Sequence, residues 1–260
     1  VYPKRRNRSR MKNLFLLRLV SNPALILQSL SVCLRIRHTN LSLNTEMKND
    51  KRGYVVSRPQ EIQFDNGRHY RAKIGYVLLA TEQVIQDDVA HLRPDGVGIH
   101  FARAAIPNSI TNDTLAAQAD LLAECAATIL PDGSLDVICY ACTSGSLVIG
   151  EERVFGELRK GAPQAKPTSL ITGVMRALRA VGAKRIVVGT PYLDEINTKE
   201  RLYMQSAGFD ILNIQGLNIE KDSDMVRVKP EFIYDFALSL DCPTAEAIFI
   251  SCGALRTLDV

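Results

Sequence analysis

"SLDVICYACTSGS", residues Ser134–Ser146, carries a short apolar run into a cysteine that is followed only by small hydroxyl and glycine residues. An unbroken run of this kind fits a strand buried on both faces, as in a parallel sheet. "AIFISCGALRT", Ala247–Thr257, makes the same move: apolar run, cysteine, small residues. In open parallel sheets, ligands bind beyond the carboxyl ends of the strands. Cys142 and Cys252 both fall at that place, each before residues that suit a tight turn into a helix.

Outward from these stretches, strand and helix patterns alternate. Ala72–Ala80, Gly96–Ile106 and Arg185–Thr190 read as strands. "SITNDTLAAQADLLAECAATIL" reads as a helix capped by Thr111 or Asn112, with Leu115, Leu122, Ala126 and Ile129 at helical spacing. Gly182 and Gly208 each stop a helix before a strand, and Pro243 punctuates the last helix-to-strand passage. This alternation predicts an α/β protein with parallel sheets. The opening strands of the two halves, near Ile74 and Ile186, lie 112 residues apart, and Cys142 and Cys252 lie 110 apart. Such matched spacing suggests a duplicated lobe, with a first lobe over 70–168 and a second over 169–260. The chain stops eight residues after Cys252, so the second lobe is expected to be C-terminally truncated.

Charge is distributed unevenly. Of 32 Lys/Arg and 28 Asp/Glu, residues 1–46 hold nine and one, so that segment carries +8 and the remainder −4. The basic balance belongs to the leader, and the acidic body argues against a nucleic-acid partner. The leader (1–50) has basic flanks and apolar patches interrupted by Arg18, Asn22 and Pro23, too broken for a membrane span. It reads as a transit or signal segment, or as sequence upstream of a true start at Met47, and is set aside from the fold. Six cysteines in 260 residues do not form a disulfide scaffold, and reduced thiols fit a cytoplasmic protein.

The two motif cysteines carry the chemistry. A thiol at a helix N-terminus has its thiolate favoured by free N–H groups, which also cradle a carboxylate. Thr143 and Ser144 add hydroxyl donors. Two thiols across one substrate carbon can remove a proton from one face and donate from the other. They can also attack a double bond and protonate the neighbouring carbon. His38, His69, His91 and His100 are scattered away from both motifs. Cys33, Cys125, Cys139 and Cys242 read as inert thiols. Cys139 and Cys142 form a lone C-x-x-C, a weak metal or redox signal, because the first of them lies inside the strand.

"CYACTSGS" with "ISCGALRTLD", "VGTPYLDEIN" (Val188–Asn197) and "GLNIEKDSDMVRV" (Gly216–Val228) resembles the Asp/Glu racemase superfamily, in its maleate cis–trans isomerase and arylmalonate decarboxylase branch. The likeness covers about residues 70–260. It implies two flavodoxin-like lobes related by pseudo-twofold symmetry, an active site between them, no cofactor or metal, and a homodimer. It implies that Cys142 attacks the substrate, that Cys252 transfers a proton, and that Tyr192 binds a carboxylate, with Gly253 beside it. Decarboxylases of the branch have glycine at the first cysteine position, so Cys142 points to isomerisation or racemisation.

Two positions depart from the maleate isomerase pattern. Glu82, in "LATEQV", and Asp222 stand about where asparagines are expected. Ionised carboxylates cannot donate hydrogen bonds, so two acids would repel maleate and suit a small carboxylate or amino-acid derivative bearing an amine or amide. The plainer reading makes both acids solvated loop charges. The "LATEQ" turn resembles the ectoine-utilisation members of the branch, which implies an acetylated diaminobutyrate. Two alternatives stand beside this reading: an arylmalonate-type decarboxylase using Cys252 alone, and a non-catalytic carboxylate-binding protein.

Overall fold

The computed structural model describes residues 61–260. The expectations for the leader, Cys33 and His38 fall outside the described residues. The elements run β1 (Ala72–Leu79), α1 (Ile85–Leu92), β2 (Val97–Ala104), α2 (Asn112–Ala116), α3 (Leu122–Thr128), β3 (Val137–Tyr140), α4 (Thr143–Ile149), α5 (Glu151–Gly161), β4 (Lys166–Ser169) and α6 (Leu170–Ala180). They continue with β5 (Arg185–Thr190), α7 (Asp194–Ser206), β6 (Asp210–Gly216), α8 (Asp222–Met225), α9 (Pro230–Leu240) and β7 (Ala247–Ile250).

All strand pairs are parallel, in two sheets ordered β2-β1-β3-β4 and β6-β5-β7. In each sheet the first strand in the chain is flanked by the second and the third. The matched spacing recurs in the register: Ile74 faces Val137, and Ile186 faces Ala247. The central strands are apolar on both faces, with Ile186, Val187 and Val188 fully buried. Burial of such side chains contributes about 1.5–3 kcal/mol each.

Local chemistry sets the helix ends. Thr111 caps α2 in a reciprocal box with Thr114. Ser169 ends β4 and caps α6 by accepting from the Thr172 N–H. Pro230 opens α9, where its missing N–H costs nothing. Gly182 and Gly208 take φ of 71° and 91° after α6 and α7, a conformation that favours glycine.

The structure differs from the sequence reading in three places. The long helix expected after Pro107 is broken by a 3-10 segment at Ala117–Leu121, although Leu115, Leu122, Ala126 and Ile129 are all buried as their spacing predicts. Between Cys142 and β4 the chain forms two helices, α4 and α5, turning at Gly150 with φ 87°. "KPTS", which has no apolar run, is strand β4, pairing with β3.

One buried cluster spans both halves: Val77, Leu115, Leu122 and Ile138 pack with Tyr192, Ile196, Met225 and Ala254. A short seam joins the halves above it. The Ile110 N–H donates to the Glu220 carbonyl at 3.0 Å, and the Asp222 N–H donates to the Asn108 carbonyl at 3.0 Å. Asn108 Nδ2 donates to Ser223 Oγ at 2.9 Å, and Ser109 Oγ donates to Glu220 Oε1 at 2.6 Å. Among the described residues no helix is long and apolar enough to cross a membrane.

Candidate active site

Cys142 is the N-cap of α4, with extended backbone at φ −139°. Its Sγ accepts from the Gly145 N–H at 3.2 Å and lies 3.5 Å from Ser144 Oγ. The Ser146 hydroxyl donates to the Cys142 carbonyl at 2.7 Å, closing the turn. Burial pushes the thiol up, the Ser144 and Gly145 hydrogen bonds pull it down, the Asp222 carboxylate pushes it up, and Tyr140 pulls it down. The expectation of a thiol held below its ordinary value by the helix end is therefore corrected: desolvation exceeds the donors gathered there.

Cys252 follows β7 and is held differently. Its φ is 89°, in the left-handed region that few non-glycine residues adopt. The Ala254 N–H donates to its Sγ at 3.4 Å. No helix starts here, contrary to expectation. The chain continues through turns to a single 3-10 turn at Thr257–Asp259. Burial pushes the Cys252 thiol up to about 12, and the Asp222 charge adds to that, against weaker opposing hydrogen bonds from Ala254 and Tyr192. At neutral pH that value keeps this thiol protonated.

Both cysteines line one narrow cavity of about 30 Å³, together with Glu82, Thr143, Ser144, Tyr192, Asp222 and Gly253. Thus the structure brings together every site residue expected from the sequence. That volume has room for a water or two. A larger cavity of about 370 Å³ lies among residues 127–135 and 161–165, before β3 and β4 and so at the opposite strand ends. Asp132 is the one ionisable residue in its lining, and no nucleophile faces it.

The two acids are buried, each 5% exposed, and not solvated loop charges. Glu82 Oε1 accepts from the Val84 and Ile85 N–H groups at 2.6 and 2.9 Å, capping the start of α1, while its Oε2 has no partner. Asp222 accepts from the Thr81 hydroxyl at 2.5 Å, and burial pushes its carboxyl up. Arg103 braces the turn that carries Glu82 and Thr81, donating to the Glu82 carbonyl at 2.7 Å. Gly253 has a packing reason to be glycine, since a Cβ there would stand 2.4 Å from Ile85 Cδ1.

Tyr192 is 2% exposed, and burial pushes its phenol well up, as do the nearby Cys252 and Glu200 charges. Behind it, Thr190, Asn197 and the Tyr192 backbone hydrogen-bond one another and fix the turn.

Sequence reasoning missed Glu200, which is fully buried on α7. The Ser251 hydroxyl donates to its Oε1 at 2.7 Å, and its Oε2 has no partner. Burial pushes this carboxyl up to about 7. The signal was available: Ile196, Glu200 and Met204 recur every four residues on the buried face of α7. Among the described residues no group of three or more His, Cys, Asp or Glu side chains is gathered to hold a metal ion.

Known proteins resemble this chain in sequence and in fold. The maleate isomerase of Nocardia farcinica is 26% identical over 190 residues, covering 69% of this chain and 75% of that one. The arylmalonate decarboxylase of Bordetella bronchiseptica is 29% identical over 94 residues, covering 35% and 39%. A solved mutant of the Nocardia farcinica isomerase, with serine in place of a cysteine and a covalently bound succinylcysteine intermediate, superposes with a TM-score of 0.64 at 23% identity. That superposition covers 71% of this chain and 79% of that one. With two cysteine turns meeting in one cavity, and with residues 82–260 matching the family model described as arylmalonate decarboxylase, the chain belongs to the arylmalonate decarboxylase family.

Proposed function

We propose that this protein is a cofactor-independent isomerase or racemase that works through Cys142 and Cys252. The observation that carries the reading is that both thiols line one cavity, each in its own hydrogen-bond surroundings. Cys142, with the fuller set of donors, supplies the thiolate. On an alkene its Sγ bonds to one carbon and the electron pair passes to the neighbour, which takes the proton of the Cys252 thiol. Rotation about the new single bond, return of one proton to Cys252 and cleavage of the C–S bond release the other isomer and the Cys142 thiolate. On an α-chiral acid, Cys142 instead takes the α-proton and Cys252 gives one to the opposite face. Tyr192 and the Thr143–Ser144 turn are placed to hold the carboxylate.

The substrate class follows from the acids. Glu82 Oε2 is buried without a partner, and Asp222 has one donor in Thr81. Two such carboxyls disfavour a dianion and favour an N–H donor, so the substrate is a small amino-acid-derived carboxylate such as an acylated diamino acid. That class fits a step in ectoine breakdown.

The test is turnover by the full chain in deuterium oxide on acylated diamino acids and on maleate, read by proton NMR. The reading requires α-deuterium or the other isomer to appear with wild-type protein and to vanish with Cys142→Ser. Turnover that survives Cys142→Ser near the wild-type level would remove the two-thiol mechanism. A second reading, decarboxylation of a malonate-type acid through Cys252 alone, draws support from the decarboxylase relative and from the protonated state of Cys252. It requires carbon dioxide release that is insensitive to Cys142→Ser.

A further inference from the structure

Tyr140 ends β3, two residues before Cys142, and is fully buried. Its ring packs in the main core, but its hydroxyl makes no well-aligned hydrogen bond to any group. A buried hydroxyl without a partner is costly, and phenylalanine would fill the same space without that cost. The hydroxyl is wedged under the first turn of α4, where a Cβ at Gly145 would stand 2.3 Å from its oxygen. Gly145 is the residue whose N–H donates to Cys142 Sγ. The phenol and the thiol are thus neighbours, and each perturbs the other in the sense of an O–H donating to sulfur.

We propose that Tyr140 is a positioning residue whose hydroxyl is held in reserve for the Cys142 thiolate, donating to it once the thiol loses its proton. A thiolate accepts far more strongly than a neutral thiol, so the Tyr140 bond gains most once the proton leaves. Beside the Gly145 N–H, and with Ser144 Oγ 3.5 Å from Sγ, Tyr140 makes a further donor to Sγ that does not itself line the cavity. The other ionisable groups on this cavity are Asp222, Glu82, Cys252 and Tyr192. Of these, Asp222 opposes the thiolate.

The meaning for turnover rests on the proposed role of Cys142, but the tuning of its thiol can be read without a substrate. The experiment is alkylation of the full chain by iodoacetamide from about pH 6.5 to 10, with Cys142 and Cys252 quantified separately by mass spectrometry. Losing one donor to an anion raises the Cys142 thiol by roughly one unit in Tyr140→Phe. Thiolate then falls about tenfold at neutral pH, partly offset by its greater nucleophilicity, for a net slowing of roughly threefold. Cys252 labelling should not change, and thermal stability should stay level or rise. An unchanged Cys142 profile in the folded variant overturns the proposal, as does an equal slowing of both cysteines.

A second measurement needs no Tyr140 variant. In protein carrying 13Cζ-tyrosine, one resonance must move as Cys142 loses its proton, and Cys142→Ala must abolish that movement. If no resonance moves with Cys142, the proposal fails. A shifted Cys142 profile in a protein without isomerase or racemase turnover would keep Tyr140 and remove the function proposed above.

Discussion

The Cys142 turn and the Cys252 turn occupy the same place in two lobes of like strand order, yet they are built by different means. Cys142 has relaxed extended backbone and caps a helix, and its sulfur faces several donors. Cys252 has a left-handed backbone, hydrogen bonds from the Ala254 N–H and the Tyr192 phenol, and a thiol pushed up to about 12. Like strand order brings two thiols to one cavity, and the surrounding residues make them unlike. On the proposed reading one thiol acts as thiolate and the other as acid, and the unlike surroundings favour that assignment over its reverse.

The largest test of the difference is in catalysis. On the proposed reading Cys142→Ser loses about a thousandfold or more of turnover, since a serine hydroxyl is far less ionised than a thiol. Cys252→Ser, mixed with an alkene substrate, should leave an adduct on Cys142 visible as a mass increase. An adduct on Cys252 in Cys142→Ser would reverse the assignment.

Next comes the acid behind Cys252. Glu200 is raised from the ordinary 4.5 to about 7. The folded protein therefore holds this proton more tightly than the unfolded chain does. The associated stability is full below about pH 4.5 and is lost as pH rises through about 7, up to about 3 kcal/mol across that window. Glu200→Gln should flatten this loss in melts at pH 5 and pH 8. Equal pH slopes in wild type and variant would show that the carboxyl is relieved in some other way.

Smaller again is Gly145→Ala. Its Cβ would meet the Tyr140 hydroxyl at 2.3 Å, and the expected cost is about 2 kcal/mol in denaturant unfolding. The smallest effect separates the two backbones. At position 252, with φ 89°, Cys252→Gly should be more stable than Cys252→Ala by about 1 kcal/mol. At position 142, with φ −139°, Cys142→Gly should be no more stable than Cys142→Ala. The same order at both sites would mean that the strain at Cys252 is relaxed in solution.

The alternation of elements, the parallel sheets and the two cysteine turns were legible because apolar runs, glycine stops and small-residue turns are local signals. Arg185–Thr190 was bounded correctly because Gly182 and the Thr-Pro step frame it. β4 was not legible, because "KPTS" has no apolar run and is made a strand by pairing with β3. The left-handed Cys252 had no local mark, since cysteine is not a residue that favours positive φ. Nothing in "NTKERLY" separates Glu200 from its charged neighbours, nor Tyr140 from the rest of its strand; both stand out only once packed. The thiol shifts were misread because the helix end is visible in sequence while desolvation is a property of the packed cavity.

The most direct test of two unlike thiols in one cavity is the order of labelling in the native protein. Brief treatment with iodoacetamide at neutral pH, followed by mass spectrometry, should find Cys142 modified well before Cys252, with fully buried Cys139, also pushed up to about 12, left untouched. Modification at Cys142 should then block Cys252, because one narrow cavity serves both. Labelling of Cys252 first, or independent labelling of the two, would contradict the shared site and the division of roles drawn from it.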